Sequence, residues 1–415
     1  MKRAIEKYRY IVTVVFLFAV TAYRLGKIYT REVFNDFNAY YDVTGALLHG
    51  LSPYKLENLS LHWVDAPTVF PGYSALFFPF LVFELDTAKY IYLSLNIILG
   101  IILAVSLFKK ILHIDTASLI SGGKNAYLFA LSVFMFLNSA PFMTSLKQGQ
   151  TSVLLAFSLF MIILSGPSFN IFKYYLMSAA AVLKYTIMPF YGIILFVKKE
   201  FKVCLIGFLL FLLWAVVPVF LGHNLLSLYT QYIDVLRSQV GSGFNSFPVS
   251  GYNMVQLDCF KIPFVGALLK LFLISLFIYI FIKRFKKKGI GLNFMFMTMC
   301  LTMIIVYHRV YDVTIIMPLL IMVFISLLNS RRWYEAFISF SFILFFLLPE
   351  SLVFRIADFM GSVIGPNKVV YLSVFTKWKT LFPLFPMVLL AMSIFSFYLC
   401  FFLKEKFSFL LENGE

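Results

Sequence analysis

The 415-residue chain is 61% hydrophobic and only 13% charged. A water-soluble domain is about half apolar and about one quarter charged. This composition excludes a soluble enzyme, a disordered chain and a peripheral protein with a single anchor, and it predicts an all-α, polytopic integral membrane protein. The apolar runs are continuous rather than alternating, which favours helices over a transmembrane barrel.

The charge of the chain is strongly positive, with 35 Lys and Arg against 19 Asp and Glu, a net charge of +16. The basic residues cluster between apolar runs, at 198–202, 283–288, 331–332 and 404–406. Such clusters stay on the cytoplasmic side of a membrane, where they meet anionic lipid. We therefore predict membrane lipids and no nucleic acid as partners, and a location in a membrane with these clusters on the cytoplasmic side.

The apolar runs predict about twelve membrane passes in a single integral membrane domain, residues 1–415. In chain order they cover about 10–28, 71–85, 88–108, 125–145, 150–165, 173–197, 203–222, 254–282, 290–307, 311–328, 334–350 and 380–403. We expect the short run 71–85 not to cross fully. We expect the run 173–197 to break near Lys184 and Pro189, because proline breaks helices and broken helices are tolerated where they line a cavity.

The topology of the N-terminal half has a second solution. If every run crosses once, Lys109, Lys110 and Lys124 lie outside, against the positive-inside rule. In the preferred topology, the run 71–85 does not cross fully and the run 173–197 forms two short passes, so these three lysines stay inside. In the C-terminal half the same rule predicts outer loops at about 223–253, 307–312 and 351–379, of which the first is either a connector or a cover for a site.

The first outer loop holds the densest polar sequence. Five of the 19 acidic residues fall between positions 31 and 65. Phe34, Phe37, Tyr41 and Leu48 recur at helical spacing, so we predict an amphipathic juxtamembrane helix over about 35–48, ended by Gly50. Asp36 at its start is a candidate general base at the bilayer interface. Position alone favours the alternative, in which Asp36 only complements the helix N-terminus.

Other polar residues stand between or inside apolar runs. Lys184 lies in an apolar stretch, where an ionisable side chain is either functional or a snorkelling helix end. Lys147 and Gln150 join two runs, and could contact phosphate and sugar or form a plain polar turn. His308 and Arg309 in a short outer turn are candidate phosphate ligands, unless Arg309 pairs with the nearby Asp312.

In order and spacing, these segments resemble glycosyltransferase family 87. The matching segments are Asp36 to Tyr41, Leu47 to Tyr54, Phe70-Pro71-Gly72, Gly149-Gln150, and Ala181 to Lys184 followed by Pro189 and Lys198-Lys199. The resemblance covers about 36–202, with a looser echo at Asn245-Ser246 and His308. It implies a GT-C fold, with a catalytic module over about 1–200 and C-terminal helices over about 201–415 that complete the substrate cavity.

The resemblance also implies an activity. Asp36 would be the catalytic base of an inverting transfer of mannose, or another hexose or pentose, from a polyprenyl-phosphate donor to a lipid or glycan acceptor on the extracytoplasmic side. No metal and no cofactor are expected. Further substrate-binding candidates are Tyr40, Asp42, Lys147, Gln150, Lys184, His308 and Arg309.

Two other functions remain open. A transporter or flippase of lipid-linked sugars would also have about twelve spans and intramembrane charges. A glycan polymerase or ligase would use diphosphate-linked glycans. The concentration of acids and aromatics in the first outer loop favours an interfacial enzyme.

Overall fold

The structure is a computed structural model that describes residues 2–30, 34–61, 67–112, 114, 123–165, 170–197, 200–241, 265–285, 291–305, 310–348 and 384–402. These residues form helices and connecting segments, without a strand among them. The α-helices are α1 (Lys2–Tyr29), α2 (Asn35–Leu48), α3 (Ser74–Phe77), α4 (Leu85–Ile111), α5 (Lys124–Leu137), α6 (Ala140–Gln148), α7 (Ser152–Leu164), α8 (Asn170–Leu183), α9 (Met188–Val197), α10 (Phe201–Phe220), α11 (Leu225–Gly241), α12 (Val265–Phe285), α13 (Leu292–Ile305), α14 (Met317–Asn329), α15 (Trp333–Leu347) and α16 (Leu384–Phe402). Short 3-10 helices cover Leu56–Asn58, Pro71–Tyr73, Phe78–Val82, Tyr185–Ile187 and Val310–Ile315. The all-α prediction is confirmed for the described residues.

Three helices are long and apolar enough to cross a membrane. They are Ile5–Tyr29 within α1, α4 and α10, and the pair α5 and α6, bent by 44°, is a fourth candidate among the described residues. Large apolar side chains such as Phe18 and Phe220 point away from the protein, at 72% and 84% exposure. Apolar surface of this kind is what lipid, rather than water, solvates. Further apolar helical segments of the described residues have only 10–17 residues, so these helices do not establish the expected total of about twelve.

The two predicted irregular runs are both broken. The run 71–85 is divided into two 3-10 helices with the short α3 between them. The run 173–197 is divided between α8 and α9, which confirms a break at Lys184, whose backbone is not helical (φ −157°, ψ 75°). Pro189 is the second residue of α9, so the break lies within the turn before it, as expected because a continuous helix would not accommodate a proline there. Proline fits there, since the first turn of a helix leaves its N–H groups unpaired anyway.

The helix predicted over 35–48 is confirmed by α2, and Gly50 follows it with φ +71°. Its buried side differs from the prediction. Phe37 and Leu47 are fully buried, whereas Leu48 is half exposed. The reason is that α2 packs against α3, α4 and α6. These helices bury a larger part of its surface than the single apolar stripe of a helix on a membrane surface.

One hydrophobic core joins the two halves of the chain, since it extends from Ile28 to Cys400. In the N-terminal half α8 pairs with α10, and α4 packs on α5 and α7. In the C-terminal half α13 pairs with α16, and α14 with α15. The 3-10 helix Val310–Ile315 crosses between them, because it packs on both α6 and α7. This crossing brings Val310–Ile315 to the polar turn that joins α6 and α7.

Candidate functional site

The segment Gln150–Ser152, between α6 and α7, is the centre of the candidate site. The helix α6 ends at Gly149, which has the left-handed conformation (φ +68°). A Cβ atom at Gly149 would lie 2.6 Å from Cβ and 3.2 Å from the backbone N of Phe37. Only glycine therefore permits both the turn and its close contact with α2. The contact is reinforced by the Phe34 N–H, which donates to the Lys147 carbonyl at 3.1 Å.

The first residue of the segment holds Asp36. The side-chain amide of Gln150 donates a hydrogen bond to Oδ2 of Asp36, and its Oε1 accepts from the Tyr40 hydroxyl at 3.1 Å. The Gln150 backbone carbonyl accepts from the Tyr92 hydroxyl at 3.2 Å. Gln150 is buried, whereas Asp36 is partly exposed. The carboxylate is thus oriented by a neutral donor and remains reachable from outside.

The third residue of the segment holds a second carboxylate. Ser152 donates its hydroxyl to Oδ1 of Asp312 at 2.7 Å, and the Lys184 ammonium forms an ion pair with Oδ2. The side chain of Asp312 is 1% exposed, and that of Lys184 is 23% exposed. A buried carboxylate needs a counter-ion and hydrogen-bond donors, and these two residues supply both.

The middle residue lies between the two carboxylates. The Tyr73 hydroxyl donates to Oγ1 of Thr151 at 2.9 Å, and the Tyr73 ring packs on Tyr40 with centroids 4.7 Å apart. Asp36 and Asp312 both lie within electrostatic range of the Tyr73 hydroxyl. Two carboxylates, one ammonium and a buried hydroxyl network therefore surround three consecutive residues.

The remaining predicted site residues fall into three groups. Lys147 is half-buried at the end of α6, and its ammonium makes no ion pair with the residues that the structure describes. His308 and Arg309 lie outside the described residues. Asp42 has a different environment from Asp36, because six residues along a helix correspond to about 240° of rotation.

Asp42 stabilises the outer loop. Its Oδ1 accepts from the backbone N–H and the hydroxyl of Ser60, at 2.8 and 2.6 Å, and its Oδ2 accepts from the Leu61 N–H at 3.0 Å. The structure does not place it with Gln150. The predicted substrate contact of Asp42 stays a prediction, and the loop contacts give its carboxylate a structural task.

A group of aromatic side chains packs together next to Lys184. The ring of Phe70 contacts those of Tyr185, Tyr229 and Tyr232 at centroid distances of 5.6–6.0 Å. Helix α11 covers the outer loop here, in part through a hydrogen bond from Ser52 to Gln231 at 2.5 Å. The predicted outer loop at 223–253 thus begins with a helix, and residues 242–253, which include Asn245 and Ser246, lie outside the described part.

Burial affects a tyrosine of the same outer loop. The Tyr54 hydroxyl donates to the Val69 carbonyl at 2.6 Å and is enclosed by protein. This burial raises the pKa of Tyr54 well above its usual value, because the phenolate would lose its hydration. Tyr54 therefore acts as a hydrogen-bond donor and a packing group, and it is not a base at neutral pH.

Sequence reasoning missed five residues of the site, among them the two tyrosines Tyr73 and Tyr92. Ser152 and Thr151 carry no signal, since hydroxyl residues at the start of a helix are common. Asp312 was considered only as a partner for Arg309, and its nearness to Lys184 requires the packing of Val310–Ile315 on α7. Among the described residues no group of three His, Cys, Asp or Glu side chains could hold a metal ion. Comparison with known proteins yields no relative, since no protein-family model, no curated protein and no solved structure matches this chain.

Proposed function

We propose that this chain is a membrane glycosyltransferase that moves a sugar from a polyprenyl-phosphate donor to a hydroxyl of a lipid or glycan acceptor. The observation that carries the proposal is that the segment Gln150–Ser152 binds two carboxylates whose environments differ. Asp36 is partly exposed and held by a neutral amide, whereas Asp312 is buried and neutralised by Lys184. A site with one reachable base beside one fixed cation suits a displacement that removes a proton and releases an anion.

The reaction is a single displacement. Asp36 takes the proton of the acceptor hydroxyl, and the acceptor oxygen forms a bond to the anomeric carbon. The bond from that carbon to the phosphate oxygen breaks, and its electron pair leaves with the polyprenyl phosphate, so the configuration inverts. Lys184 stabilises the charge that develops on the phosphate, and the scarcity of water near the bilayer strengthens this interaction.

The fold and location belong to the same proposal. The resemblance to glycosyltransferase family 87 supports a GT-C fold with about twelve spans, since the segments that carry it include Asp36, Gln150 and Lys184. The positive-inside rule supports an extracytoplasmic site in the plasma membrane of a bacterium. His308 and Arg309 are proposed as further phosphate ligands.

A second candidate function is a transporter or flippase of lipid-linked sugars. The observation that favours it is the break between α8 and α9, with a buried ion pair of Lys184 and Asp312 beside it. Broken helices with paired charges are typical of transport sites. Such a protein would translocate lipid-linked sugar without requiring Asp36 as a base.

The test uses the purified chain in lipid nanodiscs with radiolabelled polyprenyl-phosphate mannose and an extract of lipid and glycan acceptors. The change Asp36→Asn keeps the shape of the side chain and removes the base. General base catalysis contributes about a hundredfold to ten-thousandfold, so we expect transfer to fall by that factor.

Asp86→Asn is the matched control, because Asp86 is also a first-turn acidic residue but is 85% exposed and pairs only with Lys89 on the surface. Equal thermal unfolding of both variants would show that Asp36→Asn is folded. Transfer that survives in Asp36→Asn would refute the assignment of the base. If the wild type transfers no lipid-linked sugar but moves one across liposome membranes, the second candidate replaces the first.

A further inference from the structure

The ion pair of Lys184 and Asp312 is unequal in its access to ligands. The carboxylate is buried, and Ser152 fixes its second oxygen at 2.7 Å. Lys184 is the more exposed partner and lies at the break between two helices. An anion that approaches this pair therefore reaches the ammonium first and has the carboxylate behind it.

The carboxylate weakens the binding of every anion at Lys184, because like charges repel across a short distance. The repulsion grows with the charge of the ligand. A lipid-linked phosphate sugar is a phosphodiester with one negative charge. The polyprenyl phosphate released by transfer is a monoester, which carries about 1.5 to 2 negative charges at neutral pH.

This difference matters for turnover. A lysine whose charge is not offset would bind the product more tightly than the donor, and the spent lipid would stay in the site. Interactions that are equally strong before, during and after the reaction do not accelerate it. A lysine whose charge is partly neutralised by a carboxylate still stabilises the leaving phosphate in the transition state. It also releases the product more easily than a lysine without such a carboxylate.

We propose that Asp312 is a positioning residue that holds Lys184 and disfavours the doubly charged product, so that the polyprenyl phosphate leaves after transfer. The inference rests on the proposed glycosyltransferase function and names the step that this ion pair controls. Ser152 contributes by fixing the carboxylate, so that it does not follow the ammonium toward the ligand.

The experiment measures the dissociation constants of farnesyl phosphate and of its methyl diester for the purified full chain in nanodiscs. We expect Asp312→Asn to tighten diester binding about threefold and monoester binding about tenfold, since doubling the charge of a ligand squares the electrostatic factor. Lys184→Met weakens both, and Asp86→Asn, as the control, changes neither. A purely structural role for Asp312 predicts unchanged or weaker binding, the opposite direction.

A measurement on the wild type alone keeps the proposal testable if Asp312→Asn does not fold. The wild type is expected to bind the monoester only slightly more tightly than the diester, because the carboxylate behind Lys184 cancels most of its charge, and a preference of about tenfold or more for the monoester would overturn the proposal. Sugar transfer that depends on Asp36, combined with no tightening in a folded Asp312→Asn variant, would overturn this inference and leave the function standing. A wild type that binds neither ligand would overturn both.

Discussion

The substitution Gly149→Ala tests whether the contact between the polar turn and α2 assembles the site. Alanine in the left-handed conformation costs about 1–2 kcal/mol. The added Cβ would lie 2.6 Å from Cβ and 3.2 Å from the backbone N of Phe37, and overpacking of this kind costs about 1–3 kcal/mol. The sum, about 2–5 kcal/mol, is a large part of the stability of an ordinary protein.

The expected effect on activity is larger than the effect on folding. The obstructing atoms belong partly to the backbone of α2, so the start of this helix must move away from the turn. Asp36 is the neighbour of Phe37 in that first turn, and its carboxylate would move with the helix relative to Gln150, its hydrogen-bond donor. Displacements of about 1 Å at a reacting group cost about a hundredfold in rate.

The assay compares the midpoint of thermal unfolding and the rate of sugar transfer for Gly149→Ala and for Gly45→Ala. Gly45 lies in the same helix α2, and no atom lies within 4 Å of the position that an added Cβ would take. Alanine there favours the helix by about 0.5–1 kcal/mol, so this variant should be as stable as the wild type or more stable. If Gly149→Ala behaves like Gly45→Ala in both measurements, the close contact does not hold the site together.

Two further predictions concern the hydrogen bonds of α2. Gln150→Leu removes the donor to Asp36 and should slow transfer about tenfold to a hundredfold, since a hydrogen bond to a charged group contributes about 1.5–3 kcal/mol. The control is Gln148→Leu, and equal transfer rates for the two variants would contradict the role of Gln150. Asp42→Asn keeps one carbonyl oxygen for three donors, and the loss of a hydrogen bond to a charged group predicts destabilisation of about 1–3 kcal/mol. Faster hydrogen exchange at the Ser60 and Leu61 amides checks this effect, whereas a raised KM with unchanged exchange would make Asp42 a substrate ligand instead.

Local sequence patterns were sufficient for most helix positions. The bounds of α2 follow from the spacing of its aromatic residues and from Gly50, and the break near Lys184 and Pro189 follows from a proline in an apolar run. Both features depend on residues that are neighbours in the chain. The buried side of α2 was predicted less well, because it depends on α3, α4 and α6, which no local pattern identifies.

The candidate site was only partly predictable for the same reason. Asp36, Gln150 and Lys184 were singled out individually, but the partner of each was not. The hydrogen bond between Asp36 and Gln150 joins residues 114 positions apart, and the ion pair between Lys184 and Asp312 joins residues 128 positions apart. Sequence reasoning offered only the neighbouring Arg309 as a possible partner of Asp312, because nearness in the chain was the only guide.

The amino-acid sequence by itself determined the class of the molecule. Because 61% of the residues are hydrophobic, their side chains must be buried in protein or lipid. Continuous apolar runs in lipid satisfy their backbone hydrogen bonds as helices. Only the tertiary structure decided which charges meet. A buried carboxylate such as Asp312 must have a counter-ion, and the packing of Val310–Ile315 on α6 and α7 makes Lys184 that counter-ion. A separate contact, that of α2 with the turn at Gly149, places Asp36 at the other end of the segment Gln150–Ser152, where it is partly exposed.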